Sequence, residues 1–355
     1  MTELSIIIPY YNRPPSVVSY CFESIRRAAV DLNVQILLVD DGSKPPARST
    51  LDGMLDSVTV VETENRGLLF ARLAGLNRAT SEFVLFLDSD DLVSEDKLRA
   101  QLAAMRKQNL DISYTDSAKA VLNVPYEQLR LEDEAVTPEV SSTAEFCFRV
   151  QPAPHSPMFR CSFLQRAVEN SKLPAHPLYN PVAEIWFYHV CAYQPGAVRK
   201  VSGPRAIIGL HDTGRITGTW ERLAIGSLAL MEDSLAVMRR REFSVDLQRM
   251  LAEVALRSWR RLPRDFHPEF GQRLLAIAAA SKNLDPVAIG GPIFGLLART
   301  IGLRQAARLM KIRAGLYEEC RTMSDHEWTA LYREFLSRHD GKAPCQVMSS
   351  LQLQS

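Results

Sequence analysis

An apolar run that ends abruptly in acid, Phe83–Val93 (FVLFLDSDDLV), constrains this chain more than any other stretch. Its first residues, Phe83–Leu87, are continuously apolar. Such a run bounded by charge reads as a strand buried on both faces of a parallel sheet. Asp88, Asp90 and Asp91 then stand at the carboxyl end of that strand, where open α/β sheets bind ligands. Carboxylates this close repel one another unless a cation or a hydrogen-bond network neutralises them. A hard divalent ion carrying a diphosphate suits them. Asp90 or Asp91 could instead do no more than cap the helix that follows.

The preceding residues weigh on that choice, because they repeat a strand–loop–helix plan. Leu4–Pro9 is a β-rich apolar run ending in Tyr10-Tyr11-Asn12-Arg13, followed by apolar residues at helical spacing (Val18, Cys21, Ile25, Leu32). Val34–Val39 is a second buried strand, ending in Asp40-Asp41-Gly42-Ser43, and Val58–Val61 is a short third. Asn65-Arg66-Gly67 leads into a helix over Leu68–Ala79, and Phe83–Leu87 is the fourth strand. Alternating strands and helices imply βαβ units and a parallel sheet. Right-handed crossovers put all the strand-end loops on one side, so Tyr11, Asp40, Asp41 and Asp88–Asp91 can converge on one crevice.

IIIPYYNR, LLVDDGS, ENRGLLFAR and FLDSDD, in this order, resemble the nucleotide-sugar-binding half of family-2 glycosyltransferases with the GT-A fold. One such motif recurs by chance; four in order at suitable spacing make a strong match. The resemblance covers about the first third of the chain well and continues more loosely to about Trp220. It implies an α/β fold, a Rossmann-like mixed sheet flanked by helices, over residues 1–220. Residues 1–116 would bind the nucleotide sugar and 117–220 would form the acceptor half. The implied activity is metal-dependent, inverting transfer of a sugar from a nucleotide-diphosphate donor, by expectation a UDP-sugar, to a hydroxyl. The acceptor would be a saccharide, a lipid-linked glycan or a protein, in bacterial surface glycan or glycoconjugate synthesis.

By the same resemblance, Pro9 and Tyr11 line the base pocket, with Tyr11 against the nucleobase. Asp40 accepts a hydrogen bond from the base, with Asp41 beside it, and Arg72 reaches the nucleotide. Asp88-Ser89-Asp90 matches the Asp-X-Asp motif, with Asp88 near the ribose and Asp90 on Mg²⁺ or Mn²⁺. General chemistry supports these roles. The leaving group is highly charged, and a metal bridging its oxygens stabilises that charge. Arg72 could add a planar donor fork, although a solvated helix face would also suit an arginine.

The acceptor half begins at Pro152–Arg160 (PAPHSPMFR), followed by a helix over Phe163–Asn170 and a proline-rich loop at Pro174–Pro181. His155 and His176 are candidate acceptor contacts, each more simply read as incidental. The family's catalytic base lies in a Glu-Asp pair at the start of the next helix. Here Glu184 matches the first member and Ile185 stands in place of the second. Glu184 is therefore the base candidate, with His189 as an alternative. The plainer reading has Glu184 complementing a helix N-terminus. In Ala206–Trp220 an apolar strand ends in His211, which resembles the family's metal-proximal histidine. The following Gly/Thr-rich loop carries Arg215, a further donor contact, between Gly214 and Gly218, and would close over the donor and exclude water.

From Glu221 to Arg338 the pattern is helical, with a tail from His339 expected to lack order. Leu303–Tyr317 reads as one basic amphipathic helix that could lie on an anionic membrane; the plainer reading packs it on its own domain with a solvated basic face. A formal net charge of +1 gives no global field for nucleic acid. Met1–Pro9 is too short and, at Glu3, too acidic for a signal peptide. Six scattered cysteines without a Cys-X-X-Cys pair argue against disulfides or structural zinc. The expected location is the cytoplasm, with peripheral contact at the inner membrane face. Two other classes compete: a non-catalytic nucleotide-sugar-binding protein, which Ile185 keeps open, and an Asp-X-Asp hydrolase. The hydrolase would place its motif on the first strand, and here three strands precede it.

Overall fold

A computed structural model of the chain describes residues 2–211, 219–241, 245–311 and 315–340. The chain divides into two compact units, Met1–Ser171 with Ala183–Gly214, and Lys172–Val182 with Arg215–Ser355.

The first unit is a mixed α/β layer structure. Its strands are β1 (Leu4–Tyr10), β2 (Val34–Asp41), β3 (Val58–Thr63), β4 (Phe83–Phe86), β5 (Leu92–Val93), β6 (Ile112–Val121), β7 (Glu132–Ala135), β8 (Met158–Arg160) and β9 (Val198–Leu210). They form one sheet in the order β3-β2-β1-β4-β8-β6-β9-β5, with β7 on β6. The first four strands are parallel, as the strand–helix alternation requires. Ile6 pairs with Ile36 on one side and Leu85 on the other, so the centre of the sheet is aliphatic. The helices are α1 (Pro15–Ala28), α2 (Ala47–Thr50, one turn), α3 (Leu68–Arg78), α4 (Lys97–Lys107), α5 (Thr143–Glu145), α6 (Cys161–Ser171) and α7 (Ala183–Ala192).

α1 opens with Pro15 at its first position, where the missing N–H costs nothing. Its Val18, Cys21, Ile25 and Ala28 bury one face against Leu4, Ile6, Ile8 and Leu85. α3 lies very close to the sheet: a Cβ at Gly75 would stand 2.3 Å from Ile7 Cγ2. Only glycine permits that approach, and it sets how near Arg72, one turn earlier, comes to the strand ends.

β6 runs unbroken from Ile112 to Val121. β9 runs from Val198 to Leu210. Pro204 does not break β9 because the ladder bulges there: Thr115 pairs with Val201, but Asp116 pairs with Pro204. The Asp116 carboxylate holds the bulge, accepting from Gly203 N at 3.1 Å and Thr137 N at 2.8 Å with Lys200 Nζ 2.7 Å away. The acidic segment 125–142 holds a 3₁₀ turn at Tyr126–Gln128 and the exposed strand β7.

The second unit is helical: α8 (Trp220–Arg240), α9 (Val245–Arg261), α10 (Pro268–Ala278), α11 (Pro286–Ile301), α12 (Leu303–Lys311), α13 (Tyr317–Cys320) and α14 (Asp325–Ser337). Phe266 centres an aromatic cluster, with Trp220, Tyr317 and Trp328 rings 4.9–5.0 Å away, and His267 stacks on Trp328 at 4.0 Å. Segment 172–182 packs on α8, where a Cβ at Gly226 would meet the Leu178 carbonyl at 2.7 Å. The Tyr179 hydroxyl donates to Asp233. The single helix read over Leu303–Tyr317 is corrected. α12 ends at Lys311, and Leu316 is extended (φ −76°, ψ 150°) where it caps α13. Among the described residues, no helix is long and apolar enough to cross a membrane. Arg215, its neighbouring glycines, Cys345 and the tail from 341 lie outside the described residues; the other five cysteines are free thiols.

Candidate active site

The ends of β1 and β2 are built together. Tyr10 pairs with Asp40 in register, and the loops beyond are tied by side chains. Asn12 N donates to Ser43 Oγ at 3.0 Å, and Lys44 N donates to Asn12 Oδ1 at 2.8 Å. Asn12 is left-handed (φ 47°), a conformation asparagine tolerates better than most residues. Pro9 is buried in β1, whereas the Tyr11 side chain projects outward, 52 % exposed.

Asp40 and Asp41 are buried, and each uses both carboxylate oxygens on backbone amides. Asp40 accepts from Ser43 N at 2.9 Å and Ala47 N at 2.7 Å. Asp41 accepts from Arg66 N at 2.9 Å and Gly67 N at 2.8 Å. Burial raises the Asp41 carboxyl above the usual range, against the pull of those two amides. Gly42 makes the turn possible: its φ is +75°, and a Cβ would sit 2.8 Å from Asn65 N. The DDGS motif thus braces its own turn and the loop leading into α3. Any base contact by Asp40 would have to use lone pairs the two amides leave over.

At the end of β4 the acids find side-chain cations. Arg72 is completely buried, with Nη2 2.6 Å from Asp88 Oδ1 and Nη1 3.5 Å from Glu184 Oε2. One guanidinium thereby joins the first acid of the DSD motif to the residue matching the family's base. Burial raises the pKa of both Glu184 and Asp88, and Arg72 opposes the rise in each. Asp90 is held differently: its Oδ2 lies 3.1 Å from Arg13 Nη2 and 2.9 Å from His211 Nε2. His211 arrives from the end of β9, brought in by Gly209, whose Cβ would lie 2.0 Å from the Asp90 carbonyl. Ser89 is buried between the two acids. Asp91 faces inward, accepting from Gly209 N at 3.0 Å with His155 Nδ1 3.0 Å away.

Asp88, Asp90, Arg72, Glu184 and His211 therefore cluster in one unit, and Arg13 joins them. Sequence reasoning missed Arg13 as a site residue, although it closes the quoted IIIPYYNR motif. Two histidines are corrected, and a third is placed. His189 is buried against the Phe148 ring at 5.0 Å, and burial lowers its pKa to about 3, so it is core and not a second base. His155 is fully buried behind Asp91 and cannot reach an acceptor. His176 belongs to the second unit, where its Nδ1 accepts from Leu178 N at 3.1 Å. Arg72 is fully buried and meets carboxylates, so the alternative of a solvated helix face does not hold.

Asp90 and His211 offer one oxygen and one nitrogen at a common point. Among the described residues, no group of three or more His, Cys, Asp or Glu is placed to cage a metal. Mg²⁺ keeps several waters and typically takes one or two carboxylates plus substrate phosphates. This donor set fits an ion brought on a diphosphate, not one held by protein alone.

The sequence profile described as glycosyl transferase family 2 matches residues 5–148. An uncharacterized glycosyltransferase of Rickettsia conorii is 33 % identical over 123 residues, covering 33 % of this chain and 20 % of that protein. The succinoglycan biosynthesis protein ExoW of Rhizobium meliloti is 32 % identical over 117 residues, covering 31 % and 36 %. The chain thus aligns with only a fifth to about a third of these relatives' length. The S. aureus TarS 1-349 structure in complex with UDP-GlcNAc superposes with a TM-score of 0.60 at 14 % identity, covering 91 % of this chain and 93 % of that one. That likeness shows the fold. Residues 5–148 belong to glycosyl transferase family 2, and the first unit they begin has the GT-A fold.

Proposed function

We propose that this protein is an inverting glycosyltransferase that moves a sugar from a UDP-sugar to a hydroxyl acceptor, with Mn²⁺ or Mg²⁺ held by Asp90 and His211. The observation that carries this reading is the Arg72 bridge, which puts Glu184 beside the DSD acids. Tyr11 offers an exposed ring for the base, on a turn that Asn12 ties to Ser43 and Lys44. Asp88 faces the ribose, and Ser89 shapes the floor between it and Asp90. Arg215 would approach the diphosphate. The metal, when bound, would offset charge developing on the departing diphosphate. Glu184 takes the acceptor proton as the acceptor oxygen attacks the anomeric carbon. The bond from that carbon to the phosphate oxygen breaks, and its electron pair leaves with the diphosphate. A base raised above the ordinary glutamate range suits this work.

Two likenesses support the substrate class: TarS is described with UDP-GlcNAc and with UDP, and ExoW is named for succinoglycan biosynthesis. We place the protein in the synthesis of bacterial surface glycans or glycoconjugates, with a saccharide, lipid-linked or protein acceptor. The test begins with a thermal-shift screen of nucleotide sugars with Mn²⁺, since a bound donor raises stability according to its affinity. The Glu184→Gln variant should then bind the selected donor as the wild type does and lose transfer by roughly 10²–10⁴-fold. Near-normal turnover would move the base elsewhere. Donor binding by the wild type without transfer to any acceptor would favour a binding protein, with Ile185 as the residue responsible.

A further inference from the structure

We propose that α11 and α12 of the second unit form a docking surface for an anionic lipid bilayer. From Pro286 to Leu316 the chain carries no aspartate or glutamate, while Arg299, Arg304, Arg308, Lys311 and Arg313 are basic. The described part of this stretch also exposes large apolar side chains. Ile293 is 79 % exposed and Leu296 is 67 % exposed, and Val287, Ile301 and Leu309 are exposed as well. These five fall within residues 287–309, whereas the five exposed large apolar residues of the first unit are spread from Tyr11 to Val136. Scattered apolar residues need no explanation, but a cluster marks an interaction surface.

Local structure explains how the cluster faces out. Gly291 takes φ +78° and kinks α11, and Pro292 starts the second segment. That segment buries Phe294, Gly295 and Ala298 and turns Ile293 and Leu296 outward. α12 buries only Ala306 and Ala307, and so presents Arg304, Arg308 and Leu309. Lys311 is committed inward, donating to the Trp259 carbonyl at 3.0 Å, but Arg299, Arg304 and Arg308 are exposed, with no ion pair among the described residues. Apolar side chains flanked by arginines and free of acid match a bilayer with anionic headgroups. The first enter the acyl boundary, the second meet the phosphates, and both contribute to binding. The charge argues against a second copy of the same face, which would set arginine against arginine.

The full chain is sedimented with vesicles of phosphatidylcholine containing phosphatidylglycerol, and with phosphatidylcholine alone. Binding should need the anionic lipid and weaken at high salt. Replacing Arg299, Arg304 and Arg308 by glutamine should weaken it on the order of 100-fold, from about 1 kcal/mol per basic residue near the surface. Replacement by lysine should retain it. Ile293→Ser with Leu296→Ser should weaken binding while leaving nucleotide binding and Tm unchanged, because both side chains are exposed. Equal sedimentation with neutral vesicles, or patch variants that bind like the wild type, would overturn the proposal. So would a stable dimer that the serine variant dissolves, since the face would then be a self-interface. Donor binding tests the transferase reading separately, so failure of one leaves the other standing.

Discussion

The two acidic turns of the first unit look alike in sequence, DDGS after β2 and DSDD after β4, yet the structure uses them in opposite ways. Asp40 and Asp41 are closed on backbone amides. Asp88 and Asp90 are met by side chains: the guanidinium groups of Arg72 and Arg13 and the imidazole of His211. An amide cannot leave its turn without unfolding it. A guanidinium or imidazole can re-aim, so the second pair can exchange partners for a ligand, whereas the first can take one only on the lone pairs its amides leave over. The comparison teaches that carboxylates at strand ends divide into those that build the crevice and those that work in it.

The sharpest way to break this comparison is to mutate one acid of each kind. Asp90→Ala should cut kcat/KM on the order of 10²–10³-fold, as for loss of one element of charge stabilisation. It should cost under about 1 kcal/mol of stability, since its pairs are partly exposed. Metal-dependent binding of a nucleoside diphosphate should vanish with it. If Asp90→Ala instead lowers Tm and leaves Mn²⁺-dependent binding intact, this turn too is structural. Asp41→Ala should do the reverse, costing about 2–3 kcal/mol in chemical denaturation because two backbone amides lose a charged acceptor. An Asp41→Ala protein as stable as the wild type would end the distinction.

A finer test concerns the arginine that spans both carboxylates. Burial raises Glu184, so the acid limb of the pH–rate profile should lie above the ordinary glutamate range, and activity should fall as pH drops through it. Arg72 opposes that rise. In Arg72→Lys, whose single ammonium cannot fork to both acids, the limb should move up by about one pH unit. A limb that stays in place would show that Arg72 does not tune Glu184.

The smallest effect is expected away from the chemistry. Lys97 is fully buried, donating to Gln101 Oε1 at 2.6 Å and to the Ser156 carbonyl at 2.9 Å. Burial holds its pKa well below the usual lysine value. The folded state therefore resists a proton that the unfolded chain accepts below about pH 10.4. Stability should rise as pH climbs toward that value and fall toward neutrality. Lys97→Met should flatten this slope with no change in transfer, and urea titrations across that range would reveal it.

The sequence by itself determined the first four strands, the helices α1 and α3 and the two acidic turns. Apolar runs broken by turn residues are local signals, and the order β-α-β with right-handed crossovers leaves few topologies. It also nominated Asp88, Asp90, Glu184 and His211, which come together although up to 123 residues apart. What it could not decide was how each polar side chain is satisfied. That Asp40 and Asp41 serve amides, that Arg13 and not only His211 meets Asp90, and that His155 and His189 are core all depend on contacts distant in the chain. The continuity of β9 through Pro204 has the same cause, since the bulge that tolerates proline exists only opposite Asp116. Periodicity shows which face of an element is buried. Only the assembled fold decides what each buried group meets, because burial obliges every charge to find a partner wherever the chain supplies one.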